Sequence, residues 1–379
     1  MKAHINNPFS FGSIVKHNKF CNRKAELLLL STYIKDAYSV WLYSPRRYGK
    51  SSLIQKVLED QEIKSIYLDL YNVKSLDDFC RKYADAIAKN LFSWDQNISV
   101  LIKKLAEYFT HFKTSVSIDE NGSPSFVIEK YGIKDQMDVE RILNIPAQIA
   151  KKYKKPICIA FDEFQEINRI EPFLINWMRS AFQEHENISY IFLGSQQSLM
   201  EDIFISDYSP FYEFAVKMNI GEISKEDWRF FINQKFEEKG LKLLPEHLNQ
   251  IILKSEGHPH FTQYFASVVF DMIRAGVDQE RTDFNELWLE KILQSQSMFL
   301  QDIYDQLTNI QRQVIFVIAV LRKDEELFSS VIRDRYQLPA SSSMLRAIQS
   351  LSKKNLIFKK EKAYKIINPI FREWLLLLS

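Results

Sequence analysis

Residues 43–53 read YSPRRYGKSSL. The second half, Gly49-Lys50-Ser51-Ser52, has the form in which a phosphate-binding loop ends, G-x-x-x-x-G-K-[ST]. Such a loop turns backbone N–H groups inward and sets an anion over the positive end of a helix. The flanks agree with that reading. Residues 38–43, YSVWLY, are an apolar and aromatic run that reads as a strand. After the loop, SSLIQKVLED puts Leu53, Ile54, Val57 and Leu58 on one helical stripe. Within the loop, Gly49 would let the backbone approach a phosphate, Lys50 would reach the β- and γ-phosphates of ATP, and Ser51 would hold Mg²⁺. Arg46 and Arg47 add positive charge, and Ser44, Pro45, Tyr48 and Ser52 complete the cradle. Ser44 stands where the pattern asks for glycine. It is tolerated there if its backbone angles are open to an L-residue.

Outward from the loop, SIYLDL (65–70) is a second strand, followed by a helix that Ser75 caps with Asp78 three residues on. Strand–loop–helix–strand–helix is the start of an α/β fold with a parallel sheet. Residues 97–145 interrupt it as an insertion: a helical stretch, ISVLIKKLAEYF, then a hairpin signal at Asn121-Gly122. The sheet resumes at PICIAFDEF (156–164), where apolar residues run straight into two acids. Asp162 is placed to order Mg²⁺ and Glu163 to polarise an attacking water. Acids abutting a buried strand are costly unless a cation or water compensates. ISYIFLGSQQ (188–197) is the next strand and KMNIGEIS (217–224) the last. Ser195, or else Gln196, would touch the γ-phosphate or the water; the other reading is a plain strand-to-helix turn.

Beyond Ile223 the pattern turns helical. Ser224 caps one helix and Gly240 stops it; GHPHFTQYFASVVFDMIRAG (257–276) is another, with Pro259 in its first turn. Pro259 would pack on an adenine, or would only start the helix. From Ser297 three helices, a short hairpin around Lys360-Glu361 and a closing helix, NPIFREWLLLL, give the winged helix-turn-helix pattern. In its third helix, 340–353, Leu345, Ile348 and Leu351 are expected to face inward and Arg346 outward. Lys359, Lys360 and Lys362 fall on the wing, where they would meet DNA phosphates. A wing that binds protein instead is the alternative. The expected domains are 1–222 for the ATPase core, 223–296 for a helical lid and 297–379 for the winged helix.

Composition bounds the rest. The chain has 379 residues, 46% hydrophobic and 26% charged, as in an ordinary soluble globular protein. Three cysteines without metal-ligand spacing and a start without an apolar leader point to a reduced, cytoplasmic protein. No apolar run approaches the roughly 18 residues of a membrane span. From residue 296 onward thirteen Lys/Arg face eight Asp/Glu; that surplus of five, against a net charge of +2, leaves about −3 for the remainder. The asymmetry points the C-terminus toward nucleic acid.

The chain resembles the archaeal-type P-loop ATPases, relatives of the STAND and AAA+ groups. FCNRKAEL (20–27), YSPRRYGKSSL, IAFDEFQEI, FLGSQQSLM, SEGHPHFTQ and YKIINPIFREWLL carry the resemblance. It implies an ATP-binding core, a helical lid covering the nucleotide and a winged helix, with Arg23 and Glu26 near the base. Relatives often place an arginine across a subunit interface, so self-association is an expectation of the resemblance. The family usually has glycine and arginine after the tyrosine of the segment matching SPFYEF (209–214); Glu213-Phe214 stand here. If that arginine stabilises transition-state charge, turnover here would be slow, or Arg179 or Arg47 would substitute. The expected function is an ATP-driven switch with slow Mg²⁺-dependent hydrolysis, coupled to DNA or to a protein partner. A nucleotide-bound regulator without turnover, or an interaction scaffold, is the alternative.

Overall fold

The computed structural model describes residues 5–13, 15, 19–59, 63–91, 108–109, 114–118, 124–128, 136–322 and 325–378. Two compact units emerge: Arg23–Arg46 with Lys50–Gly221, and Met1–Asn22 with Arg47–Gly49 and Glu222–Ser379.

The first unit is built on a five-stranded parallel sheet in the order β2-β5-β6-β1-β7, with β1 Val40–Tyr43, β2 Lys64–Asp69, β5 Ile157–Asp162, β6 Ile188–Gly194 and β7 Val216–Asn219. Every residue of β1, β5 and β6 is buried, as expected of strands covered on both faces. Phe161, Tyr190 and Phe192 stack across neighbouring strands, and Phe164, Phe182 and Phe211 close over them. The register fixes which carboxyl ends meet: Tyr43 lies beside Gly194, and Asp69 beside Asp162. Helix Leu76–Leu91 is capped by Ser75, whose Oγ accepts from Asp78 N at 3.3 Å; the Asp78 carboxylate reaches back to Lys74 N, one residue beyond the usual reciprocal partner. In the interrupting region, β3 Thr114–Ile118 and β4 Pro124–Ile128 pair antiparallel. The Asn121-Gly122 turn and nearly all of ISVLIKKLAEYF lie outside the described residues.

The second unit is almost wholly helical. Ser224 caps helix Lys225–Glu237 through Asp227 N, and Gly240 and Gly276 take positive φ past two helix ends. Helices Asn309–Val320, Ser330–Arg335 and Ser341–Lys353, the antiparallel pair β8 Ile357–Lys360 and β9 Ala363–Ile366, and helix Pro369–Leu376 make the winged helix. One core runs through this unit from Trp228, Phe236 and Phe270 to Ile348, Leu351 and Phe371.

Two expectations need correction. The described residues of the first 22 cluster with the helical unit rather than the sheet, because Phe9 inserts its ring among Phe231, Phe236 and Phe270, and Asn7 bonds Ser267 and Asp271. Helix Phe284–Asp305 runs unbroken through residue 297, so the backbone itself does not break at the expected start of the winged helix. In helix Ser341–Lys353 the buried stripe is Met344, Ala347, Ile348 and Leu351, while Leu345 is 46% exposed. The i, i+3, i+4, i+7 set starting at 344 buries four apolar groups, and Leu345 falls about 100° away from Met344.

Candidate active site

β1 delivers the loop and helix Lys50–Glu59 carries it away. Positive φ occurs at Arg47 (67°) and Gly49 (85°), and Ser44 is not among such residues. The left-handed turns therefore fall at 47 and 49, and serine at 44 imposes no strain of that kind. Its hydroxyl is used: Lys50 Nζ donates to Ser44 O at 2.8 Å, Pro45 O at 3.1 Å and Ser44 Oγ at 3.3 Å. A glycine would offer only the carbonyl. Burial pushes the Lys50 ammonium down to about 8, against the charges of Glu163 and Asp162, which favour protonation, while Arg46 adds to the lowering.

The two acids sit where β5 ends. Asp162 Oδ2 accepts from Ser51 Oγ at 2.6 Å and from the Tyr67 hydroxyl, and Oδ1 accepts from Glu163 N at 2.9 Å. Loop and acids, 111 residues apart in sequence, thus meet directly. Burial, then the Asp162 charge, drives the Tyr67 hydroxyl far above its ordinary range, so it stays a donor. Asp69 lies beside Asp162 in the register; burial raises its carboxyl, and Asp162 and Glu163 add to the rise against a backbone bond from Tyr71.

Glu163 stands in left-handed backbone, φ 51° and ψ 46°, a conformation that costs an L-residue about 1–2 kcal/mol. Its Oε2 accepts from Ser195 Oγ at 2.8 Å and from Gln165 Nε2. Ser195 therefore meets the acid itself, and Gln196 leads into helix Gln197–Phe204 in extended backbone. Gly194 has a spatial reason: a Cβ there would lie 2.3 Å from Met200 Sδ and 2.8 Å from Gln165 Oε1. Sequence reasoning passed over Tyr67, Asp69 and Gln165. The first two were findable, since a period of two puts them on one face of β2 at its carboxyl end.

Arg23 is buried and spans Glu26 Oε1 and Gly221 O, both at 2.8 Å. Ser52 is buried in the first turn of its helix. Within the helical unit, Arg47 Nη1 is 3.4 Å from His260 Nε2, and the Tyr48 ring meets the His258 ring edge-on at 4.4 Å. Pro259 opens helix Pro259–Arg274 behind the His258 cap. Gly257 is required there: φ is 73°, and a Cβ would lie 2.7 Å from Ile223 O.

Residues 20–260 match the model of an ATPase domain predominantly from Archaea. The chain belongs to that archaeal ATPase family. Residues 298–377 match a probable winged helix domain. An uncharacterized ATP-binding protein of Methanocaldococcus jannaschii is 23% identical over 344 residues, covering 83% of this chain and 94% of the relative. The Walker-type ATPase PABY2304 of Pyrococcus abyssi superposes with a TM-score of 0.67 at 18% identity, over 97% of this chain and 99% of that one. The Aeropyrum pernix ORC2 protein, solved as ADPNP–ADP complexes, superposes with a TM-score of 0.55 at 12% identity, over 99% and 98%. At these identities the likeness speaks for the fold.

This member of the archaeal ATPase family departs from the resemblance at Glu213-Phe214, and the departure has a physical form. Glu213 has φ 52°, the left-handed region that glycine occupies freely. Phe214 packs against Phe211 and Phe192 at the sheet core. The Arg179 guanidinium lies 4.9 Å over the Phe214 ring and donates to Pro210 O at 2.9 Å and Gln183 Oε1 at 2.9 Å. From helix Leu174–Phe182, that arginine buttresses the segment that carries Pro210 and Phe214.

Proposed function

We propose that this protein binds ATP with Mg²⁺ at the loop Ser44–Ser52 and hydrolyses it slowly, as a switch whose output is the winged helix. The observation that carries the reading is the Ser51–Asp162 hydrogen bond, with Lys50 and Glu163 on either side. A hydroxyl and a carboxylate in contact are the hard oxygen donors that Mg²⁺ accepts. Among the described residues no cluster of three or more His, Cys, Asp or Glu forms a metal cage, so water and phosphate oxygens would complete the shell. Bound there, Mg²⁺ would neutralise charge on the phosphates. Ser51 and Asp162 would exchange their mutual bond for that role. Lys50 would trade its loop carbonyls for phosphate oxygens, and Glu163 would orient water through the carboxylate oxygen that Ser195 does not hold. The names of the M. jannaschii relative, an ATP-binding protein, and of the ORC2 complexes with ADPNP and ADP support the choice of ligand.

A nucleotide-held regulator without turnover is the second reading, favoured by the commitment of Arg179 to Phe214. For either, the wing would meet DNA through Lys359, Lys362 and Arg346, all exposed. Lys360 is already engaged by Glu222 at 2.5 Å. The test is ATP hydrolysis with Mg²⁺, with and without duplex DNA, beside Glu163→Gln. Turnover absent from the variant, with ATP affinity kept, is the expected result. Unchanged turnover in Glu163→Gln would overturn the assignment. Tight binding with no turnover in either protein would select the second reading.

A further inference from the structure

The geometry points to Gln165 as a positioning residue that, together with Ser195, fixes the water-orienting carboxylate of Glu163. The inference rests on the reading of Glu163 given above. It starts from three observations on one unit of the fold. Glu163 leaves β5 in left-handed backbone, so its side chain departs in a direction that the strand does not set. Two donors, Ser195 Oγ and Gln165 Nε2, converge on a single oxygen, Oε2. Among the described residues Oε1 accepts no hydrogen bond, and Glu163 is only partly buried. One oxygen is held and the other is left for a ligand or water.

The state of Gln165 itself carries the argument further. The residue is 6% exposed, and among the described residues its buried amide oxygen has no hydrogen-bond partner. Buried amide groups are nearly always satisfied, and an orphan calls for a reason. Turning the amide over would aim its oxygen at the carboxylate and lose the donated bond. The orientation that keeps an N–H on Glu163 is thus the one that leaves the amide oxygen without a donor among the described residues. Gly194 belongs to the same device, because a Cβ at that position would press on Gln165 Oε1 and Met200. A glutamine kept only for packing would be replaceable by methionine, which has similar length and no orphan oxygen.

Turnover and ATP affinity of the full chain, measured for wild type, Gln165→Met, Gln165→Glu and Glu163→Gln, test this. Gln165→Met should lower kcat at least about tenfold while KM and the Kd for ATP stay within about twofold, and Tm should not fall. Gln165→Glu should be as slow near pH 8, where two carboxylates repel, and should recover relative to wild type as pH falls. Its protonated carboxyl would then donate the missing bond, an effect that mere packing would not show. Gln165→Met within twofold of wild type, or faster, beside an inactive Glu163→Gln would overturn the role of Gln165 and leave the ATPase reading standing. Wild-type turnover in Glu163→Gln would instead remove the reading beneath it. Should Gln165→Met fail to fold, a ratio of Gln165→Glu to wild type that is flat with pH would overturn the inference alone.

Discussion

Lys50 is under two opposed demands. Its ammonium is buried among loop carbonyls and sits down at about 8, yet a bound polyphosphate needs it charged. Without nucleotide, the folded chain binds fewer protons than the unfolded one between about 8 and the ordinary lysine range. Through this residue alone, the stability of the nucleotide-free fold rises with pH in that window. Binding has the opposite sign. Above pH 8 the nucleotide must bring a proton back to Lys50, so affinity should weaken by up to about tenfold per pH unit. Calorimetric titration with ATP from about pH 7 to pH 9.5 should show Kd flat at first and then rising. Lys50→Arg should flatten the rise, because guanidinium stays charged. A wild-type Kd that does not move across this range would show that ATP does not return a proton to Lys50, and an unchanged Kd in Lys50→Ala would then remove it as the phosphate contact. The same loop shows what a sequence pattern leaves out. Ser44 looked like a defect because the pattern records residue types; the backbone puts its left-handed turns at 47 and 49 and finds a use for the serine hydroxyl.

Among the elements, the strands and their order of appearance were legible, since parallel strands buried on both faces read as unbroken apolar runs that end at polar residues. Glu163 and Ser195 could be assigned to the ends of β5 and β6, but not their mutual hydrogen bond, which depends on the left-handed turn at Glu163. Gln165 lies inside the IAFDEFQEI motif but drew no role, because a glutamine in a 3-10 turn is chemically bland until its neighbours are known. The winged helix was also legible as an element count, and Ile348 and Leu351 face inward as expected, while Leu345 was given the place that Met344 holds. That difference has a measurable consequence. Met344 is fully buried, so Met344→Ala should cost about 2–4 kcal/mol, whereas Leu345→Ala on the exposed face should change stability by less than about 0.5 kcal/mol. Chemical denaturation followed by helical circular dichroism separates the two. Equal losses would put the stripe back where the sequence had suggested.

For the whole molecule, long-range placement was the least legible. Nothing local to NNPFS announces that Phe9 lies among Phe231, Phe236 and Phe270, more than 200 residues away. Charge behaves likewise. The sequence gives the C-terminal region a surplus of five positive charges, but the structure decides which of them are available. Lys360 pairs with Glu222, and Lys365 with Glu256 at 3.2 Å. The Glu222 carboxyl is held below its usual range by Lys360 and Lys365, although burial opposes this. Lys359 lies exposed on β8 and Lys362 exposed in the turn that joins β8 to β9. If the wing meets DNA, those two should carry the phosphate contacts. Anisotropy of a labelled duplex, titrated between about 50 and 200 mM salt, reads this as a slope. Replacing Lys359 and Lys362 together by alanine should weaken binding on every sequence and reduce the slope by about 2. Lys360→Ala should leave the slope nearly unchanged, since its ammonium is already neutralised by Glu222. A slope that falls as much for Lys360→Ala as for its neighbours would mean that the Glu222 pair opens on DNA. Binding without salt dependence would remove the wing from the interface and turn the search toward a protein partner.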